Sequence, residues 1–203
     1  MQHIRIILIL FWLLNGSYAF GQVNVEKEII ASTIKSVFKK LPSDTVFKRK
    51  GKIKKIRPER IPDIILVNET ETYIFSPEEH CLEVYKNKGL SKIDSECYSD
   101  INEKNESKIN IDSIPNFEGK IQYLTSGEIN QIFENGYWNN YHNIFGWIDL
   151  VRVSRPGLNE EKNKAFIYFS SSSDGLSGIG FYLILEKVNN IWTIKESMLA
   201  WVS

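Results

Sequence analysis

The last third of the chain, residues 147–203, restricts the fold more than any other part. It reads as strand, turn, strand, a connection rich in glycine and serine, strand, an Asn-Asn turn and a final strand. Ala165, Ile167 and Phe169 alternate with Phe166 and Tyr168, and Phe181, Leu183 and Leu185 alternate with Tyr182 and Ile184. That period of two is what a pleated strand imposes. Val188-Asn189-Asn190-Ile191 predicts a tight hairpin, because asparagine tolerates the positive φ such turns need. On the same period, Trp192, Ile194 and Met198 fall on one face of the last strand, and Thr193, Lys195 and Ser197 on the other. Both faces are apolar near the middle, so the sheet needs cover on each side, and helices are the available cover.

The helical signals lie upstream. Asn24 opens a helix predicted to run to about Lys40, with Ile30, Ile34, Val37, Phe38 and Leu41 on one face. Glu26 and Glu28 in the first turn and Lys39 and Lys40 in the last match the helix dipole, and Pro42 stops it. Ser76-Pro77-Glu78-Glu79 is a second helix start, reaching to about Gly89. Ser91 to Ser107 predicts a short helix or an ordered loop. Thr125 or Ser126 caps a helix to about Asn135, with Ile129, Ile132 and Phe133 inward. Strands are expected at Ile61–Val67 and Glu118–Leu124, and Asp149–Ser154 begins the final sheet, with a turn at Pro156-Gly157. Lys48 to Arg60 is a basic run whose one neighbouring aromatic is Phe47, so it reads as a solvated segment rather than a polyanion site.

The amino terminus has the three-part layout of a secretion signal. Arg5 precedes the unbroken apolar run Ile6–Leu14, and small-residue exits follow near Ala19 and Gly21. The apolar run would span about 14 Å as a helix, against a hydrocarbon core of roughly 30 Å. The expected organisation is a signal peptide at 1–21 and one domain at 22–203. That chain would be secreted or periplasmic, without a transmembrane segment. Loss of Arg5 would leave 24 basic residues against 25 acidic ones. This near balance gives no electrostatic reason to expect nucleic acid as a partner. The expected state is a monomer or weak dimer, with no partner identified.

Cys81 and Cys97 are the two cysteines of the chain. In an oxidising compartment they are a candidate disulfide, worth roughly 3 kcal/mol by loop closure. The alternative is two thiols held apart by the elements that carry them.

Chemistry-bearing patterns are sparse. The segment Ser170–Gly180 (SSSSDGLSGIG) offers hydroxyls, Asp174 and three glycines, and reads first as a hairpin connection with a glycine bulge and second as a candidate ligand loop. Its glycine spacing is not the dinucleotide fingerprint, and it lacks the alternating acids of a calcium loop. No nucleophile elbow and no zinc helix are present, so neither a cofactor nor a metal is implied. His142 stands in the aromatic segment Tyr137–Trp147. Arg152 and Arg155 flank the start of the sheet, where each suits an internal ion pair or a ligand carboxylate. The candidate ligand-binding residues are therefore His142, Arg155, Asp174, Ser177 and Tyr182, with no catalytic residue assigned.

The strings Ser154-Arg155-Pro156-Gly157-Leu158-Asn159, Lys164 to Ser170, Gly175 to Tyr182, Leu185-Glu186-Lys187, Trp192-Thr193-Ile194 and Trp201-Val202-Ser203 resemble a C-terminal module of small secreted proteins of Bacteroidetes-type bacteria. Tyr137 to Trp147 is more weakly similar. The resemblance implies secretion and a domain that closes on its last strand, and it implies no activity. Where that group often carries a cysteine, this chain has Ser177, so a disulfide in that loop is not implied here. The hairpin ending also resembles the cone-shaped α+β domains of the nuclear-transport-factor-2 type.

The expected fold is α+β, with N-terminal and central helices packed on a C-terminal antiparallel sheet of four or more strands. The expected function is non-enzymatic binding or association with the cell envelope. The alternative is a small secreted hydrolase using 170–180 and 137–147, which requires a serine, His142 and an acid in mutual contact.

Overall fold

The computed structural model describes residues 24–38, 62–72 and 95–203, with the backbone of two further strands, β1 (Asp44–Phe47) and β2 (Ile53–Arg57). The expected signal at 1–21, the stop at Pro42, the helix expected from Ser76 and Cys81 lie outside the described residues, and with Cys81 the question of a Cys81–Cys97 bridge. Part of the basic run forms β2, which pairs antiparallel with β1. No helix among the described residues is long and apolar enough to cross a membrane.

The architecture is α+β. The remaining strands, β3 (Ile64–Val67), β4 (Ile121–Leu124), β5 (Asp149–Val153), β6 (Gly157–Leu158), β7 (Lys164–Asp174), β8 (Ser177–Val188) and β9 (Ile191–Val202), form one sheet of order β4-β3-β5-β7-β8-β9, with β6 beside β7. The block β5-β7-β8-β9 is antiparallel throughout, as the two-residue turns joining β7, β8 and β9 require. β3 lies parallel to both β4 and β5, which makes the sheet mixed. All four residues of β3 are buried. A strand covered on both faces reads as a continuous apolar run, which is why IILV shows no alternation.

Each face carries its own core. On the first, α1 (residues 24–37) lays Ile29, Ile30 and Ile34 on Val151, Val153, Ile167, Leu183 and Trp192. Phe38, just past the helix, meets Phe169 edge-on at 5.9 Å. Ile30, Ile34 and Phe38 are buried as expected, but Ile29 and Thr33 join the inward stripe and Val37 is exposed. On the second face, α2 (Ser95–Lys104) buries Cys97 and Ile101 against Phe166, Tyr168, Tyr182 and Met198. Beside it, α3 (Ser126–Glu134) and α4 (Tyr137–Phe145) bury Ile129, Trp138 and Tyr141 against Ile65, Val67 and Leu150. The start of α3 is a capping box, with Glu128 N donating to Thr125 Oγ1 and Thr125 N to the Glu128 carboxylate.

Two expectations change, and one pair of alternatives is resolved. Pro156-Gly157 is not a free turn: Gly157 and Leu158 pair with Phe166 and Ala165, and α2 lies so close that a Cβ on Gly157 would sit 2.0 Å from the Cys97 carbonyl oxygen. Residues 170–180 form the hairpin with a bulge and not an open loop: β7 and β8 run on to Asp174 and Ser177, only Gly175-Leu176 turn, and the register shifts between Ser172 and Asp174. Met198 does not share a face with Trp192 and Ile194. The ladder shifts between Ile184 and Leu185, pairing them with Glu196 and Ile194, so Lys195 is an extra residue that inverts the alternation. Trp192 and Ile194 therefore pack under α1, and Met198 on the opposite face.

Candidate functional site

The second face of the sheet is not covered along its whole length. Between the α3–α4 pair and the last strand it opens into a cleft of about 460 Å³, within the ~300–1,000 Å³ typical of small-molecule sites. Its floor is one cross-strand row. Arg152 on β5 is opposite Ser170 on β7, Ser170 is opposite Gly180 on β8, and Gly180 is opposite Trp201 on β9. Residues opposite one another project to one face, so the row sets a guanidinium, a hydroxyl, bare backbone and an indole side by side. Ser172 opposite Gly178 forms the next row towards the hairpin tip.

The two ends of the row are fixed differently. Arg152 Nε donates to Glu71 Oε1 at 3.0 Å, and both side chains are partly exposed. Glu71 is itself anchored by its backbone N–H on the Val153 carbonyl oxygen at 2.7 Å. Trp201 Nε1 donates to Tyr168 Oη at 2.7 Å. A Cβ on Gly180 would lie 2.2 Å from Trp201 Nε1, and one on Gly178 about 3.0 Å from the far end of the six-membered ring. The indole therefore lies along β8 over both glycines, a closeness that no side chain at those positions would permit. Burial pushes the Tyr168 phenol above its usual pKa, against the opposing hydrogen bonds from Trp201 and Ser170, so the phenol keeps its proton under ordinary conditions.

One wall is aromatic. Phe133 on α3 and Tyr137 and Trp138 on α4 border the cleft, with ring centroids 4.9 Å apart for Phe133–Tyr137 and 5.1 Å for Phe133–Trp138. The helix junction forces this cluster: Gly136 has φ 129° and Tyr137 φ 54°, the left-handed region that a non-glycine residue seldom adopts. Gly175 at the hairpin tip closes over Trp138, where a Cβ would be 3.1 Å from Cδ1.

Of the five residues singled out from sequence, Asp174 lines the cleft. His142 packs behind the wall, stacked on Trp147 at 4.0 Å, with Nε2 2.7 Å from the carbonyl oxygen of Ser173. A carbonyl only accepts, so Nε2 carries the proton there and is not available as a base. Ser177 begins β8 and shares a hydrogen bond with Ser173 Oγ at 3.1 Å. Tyr182 is buried under α2, stacked on Phe166 at 5.5 Å. Arg155 belongs to the core: Nε and Nη2 donate to the two oxygens of the fully buried Glu26 at 2.9 and 3.1 Å, and Nη1 to the Lys104 carbonyl and Ser107 Oγ. A ligand carboxylate would have to displace that pair, so the reading of Arg155 as a ligand group is replaced by an internal ion pair.

The sequence reading missed Glu71, Ser170 and Trp201 as parts of one site. Their signal was the pairing of a serine strand with a glycine strand, Ser170 and Ser172 against Gly180 and Gly178, which leaves room for one large ring. Among the described residues no group of three or more His, Cys, Asp and Glu side chains is placed to hold a metal ion. No protein-family model, curated protein or solved structure matches this chain.

Proposed function

We propose that this chain is a non-enzymatic binding module acting outside the cytoplasm, in the periplasm or beyond the cell, and that it takes a small ligand in the cleft above the Arg152–Ser170–Gly180–Trp201 row. The observation that carries this reading is the row itself. A large aromatic ring is seated on two glycines, and an ion pair, hydroxyls and an aromatic wall converge on the same space. Convergent polar groups in a partly apolar concavity are the general signature of a binding site. The apolar run Ile6–Leu14 and the small-residue exit near Ala19 or Gly21 support export.

The test is a fragment screen by amide chemical-shift mapping on the chain lacking residues 1–21. Ligands are expected to shift Arg152, Ser170, Gly180 and the Trp201 indole N–H together. Hits confined to other surfaces would reject the cleft. Turnover of ester, peptide or glycoside substrates that disappears in His142→Ala would establish the hydrolase instead. Mass spectrometry of the exported protein checks the cleavage, and a chain retained with residues 1–21 in the cytoplasm would reject export.

A further inference from the structure

We infer that the ligand of this cleft is a neutral saccharide whose ring stacks on Trp201, an assignment that rests on the cleft being a binding site. The argument begins with the platform. The indole is spread over Gly178 and Gly180, and its one donor is spent on Tyr168 Oη. What it offers a ligand is a fixed, flat, apolar face with no hydrogen bond to satisfy. A pyranose presents a matching surface, because its ring C–H groups gather on one face while its hydroxyls point outward around the rim.

The rim needs donors and acceptors close together, and the rest of the row supplies them. Ser172 contributes a hydroxyl that both donates and accepts, and Ser170, whose proton is engaged with Tyr168, contributes an acceptor. Arg152 spends Nε on Glu71 and retains its other guanidinium donors, while Glu71 retains lone pairs. A guanidinium beside a carboxylate suits two adjacent ligand hydroxyls, one accepting and one donating. From Arg152 on β5 to the indole seated over Gly180 on β8 the floor crosses two strand intervals, about 10 Å at 4.7–4.9 Å each, a length suited to about two sugar units.

Charge separates this ligand from its competitors. Glu71 neutralises Arg152, and Asp174 adds a further negative charge at the rim. That excess disfavours phosphate, sulfate or carboxylate ligands. A quaternary ammonium would want rings surrounding the charge. Here Phe133, Tyr137 and Trp138 pack on one another as a single wall, and a guanidinium lies in the floor.

The test uses the chain without residues 1–21 and a panel of neutral tri- to hexasaccharides: α- and β-glucans, xylans, mannans and N-acetylglucosamine oligomers. Sulfated and uronic-acid oligosaccharides and tetramethylammonium serve as charged probes. The expected result is saturable binding of at least one neutral oligosaccharide, with a change in tryptophan emission and a shift of the Trp201 indole N–H. Trp201→Ala should weaken it about tenfold or more. Ser172→Ala should weaken it less and leaves the fold intact, so an unfolded Trp201 variant does not decide the matter. Leu176→Ala, at the exposed hairpin tip, should bind as the parent does. Binding of charged probes alone at this row overturns the saccharide and keeps the cleft. Silence of the whole neutral panel at millimolar concentration overturns the saccharide as well. Sugar binding that maps away from the row overturns both the ligand's place and the cleft as the site.

Discussion

Trp201 Nε1 donates to Tyr168 Oη at 2.7 Å across the bare backbone of Gly180, joining β9 to β7 over the intervening strand. β9 lies at the edge of the sheet, so this bond and the seating on glycine are what hold the ring against the floor. Gly180→Ala would put a methyl 2.2 Å from the indole nitrogen, and either the ring or the strand must move. The expected cost is about 1–3 kcal/mol, the range for overpacking a well-filled site. Tryptophan emission should move to the red as the ring meets water. Combining Gly180→Ala with Trp201→Ala should cost less than the sum of the two, because the clash and its target vanish together. Additive costs in urea unfolding would show that the ring does not lie there.

The Glu26 carboxylate is fully buried and receives Arg155, with Lys104 Nζ 3.4 Å away and Lys104 also paired with Asp100. Three elements meet on it: α1, α2 and the exit of β5. Removing the carboxylate leaves two cations with reduced compensation in a low-dielectric site. Glu26→Ala should therefore cost about 3–5 kcal/mol, the range for breaking a buried pair by losing one partner. Amides of residues 24–37 should lose hydrogen-exchange protection most, since this network and the Ile29, Ile30 and Ile34 contacts hold α1 to the sheet. A loss below about 1 kcal/mol would mean that apolar contact alone holds that helix.

Much of the sheet was legible in the sequence because its cause is local. Alternation over Ala165–Phe169 and Phe181–Leu185 and the paired asparagines each report a neighbourhood of a few residues, as does the helix cap at Thr125. What was illegible depends on distant partners. The inversion at Lys195 leaves no mark in β9 itself; it exists because Ile184 and Leu185 choose Glu196 and Ile194. The partner of Arg155 lies 129 residues away at Glu26. The row beneath the cleft draws four residues from four strands, so composition along the chain cannot show it. The serines and glycines of 170–180 did stand out, as a hairpin connection with a bulge or a ligand loop and not as strands, because a strand pair that makes room for a tryptophan must itself lack bulk.

Burial raises the phenol pKa of Tyr123, Tyr141 and Tyr168, in each case as the largest cause. The sign follows directly: the folded pKa lies above the unfolded value, so the folded state favours the protonated phenol. The associated stability is complete below about pH 10 and is lost as pH rises through the folded values. Absorbance at 295 nm after a pH jump should show these three tyrosines titrating later in the native protein than in urea. Tyr168→Phe should remove one late-titrating group and also loosen Trp201. Identical native and denatured titration curves would contradict this burial.

The β8–β9 hairpin offers the last and most local test. Asn189 and Asn190 have φ 51° and 63°, the two positive values of a type I′ turn. A β-branched residue at the second position must adopt a left-handed backbone that costs roughly 1–2 kcal/mol, so Asn190→Val should destabilise by about that amount. Asn190→Gly gives the sequence that this turn accepts most readily, and should leave stability unchanged or slightly higher. The turn is exposed, so neither change disturbs a core and the contrast isolates the backbone. It also bears on the cleft, because this turn begins the pairing that carries Trp201 to Gly180 through two irregularities. If Asn190→Val lowers the melting temperature yet leaves the Trp201 indole N–H shift in place, register is set by the side-chain packing of β9. If the indole shift moves as well, the turn itself sets the register that builds the floor of the cleft.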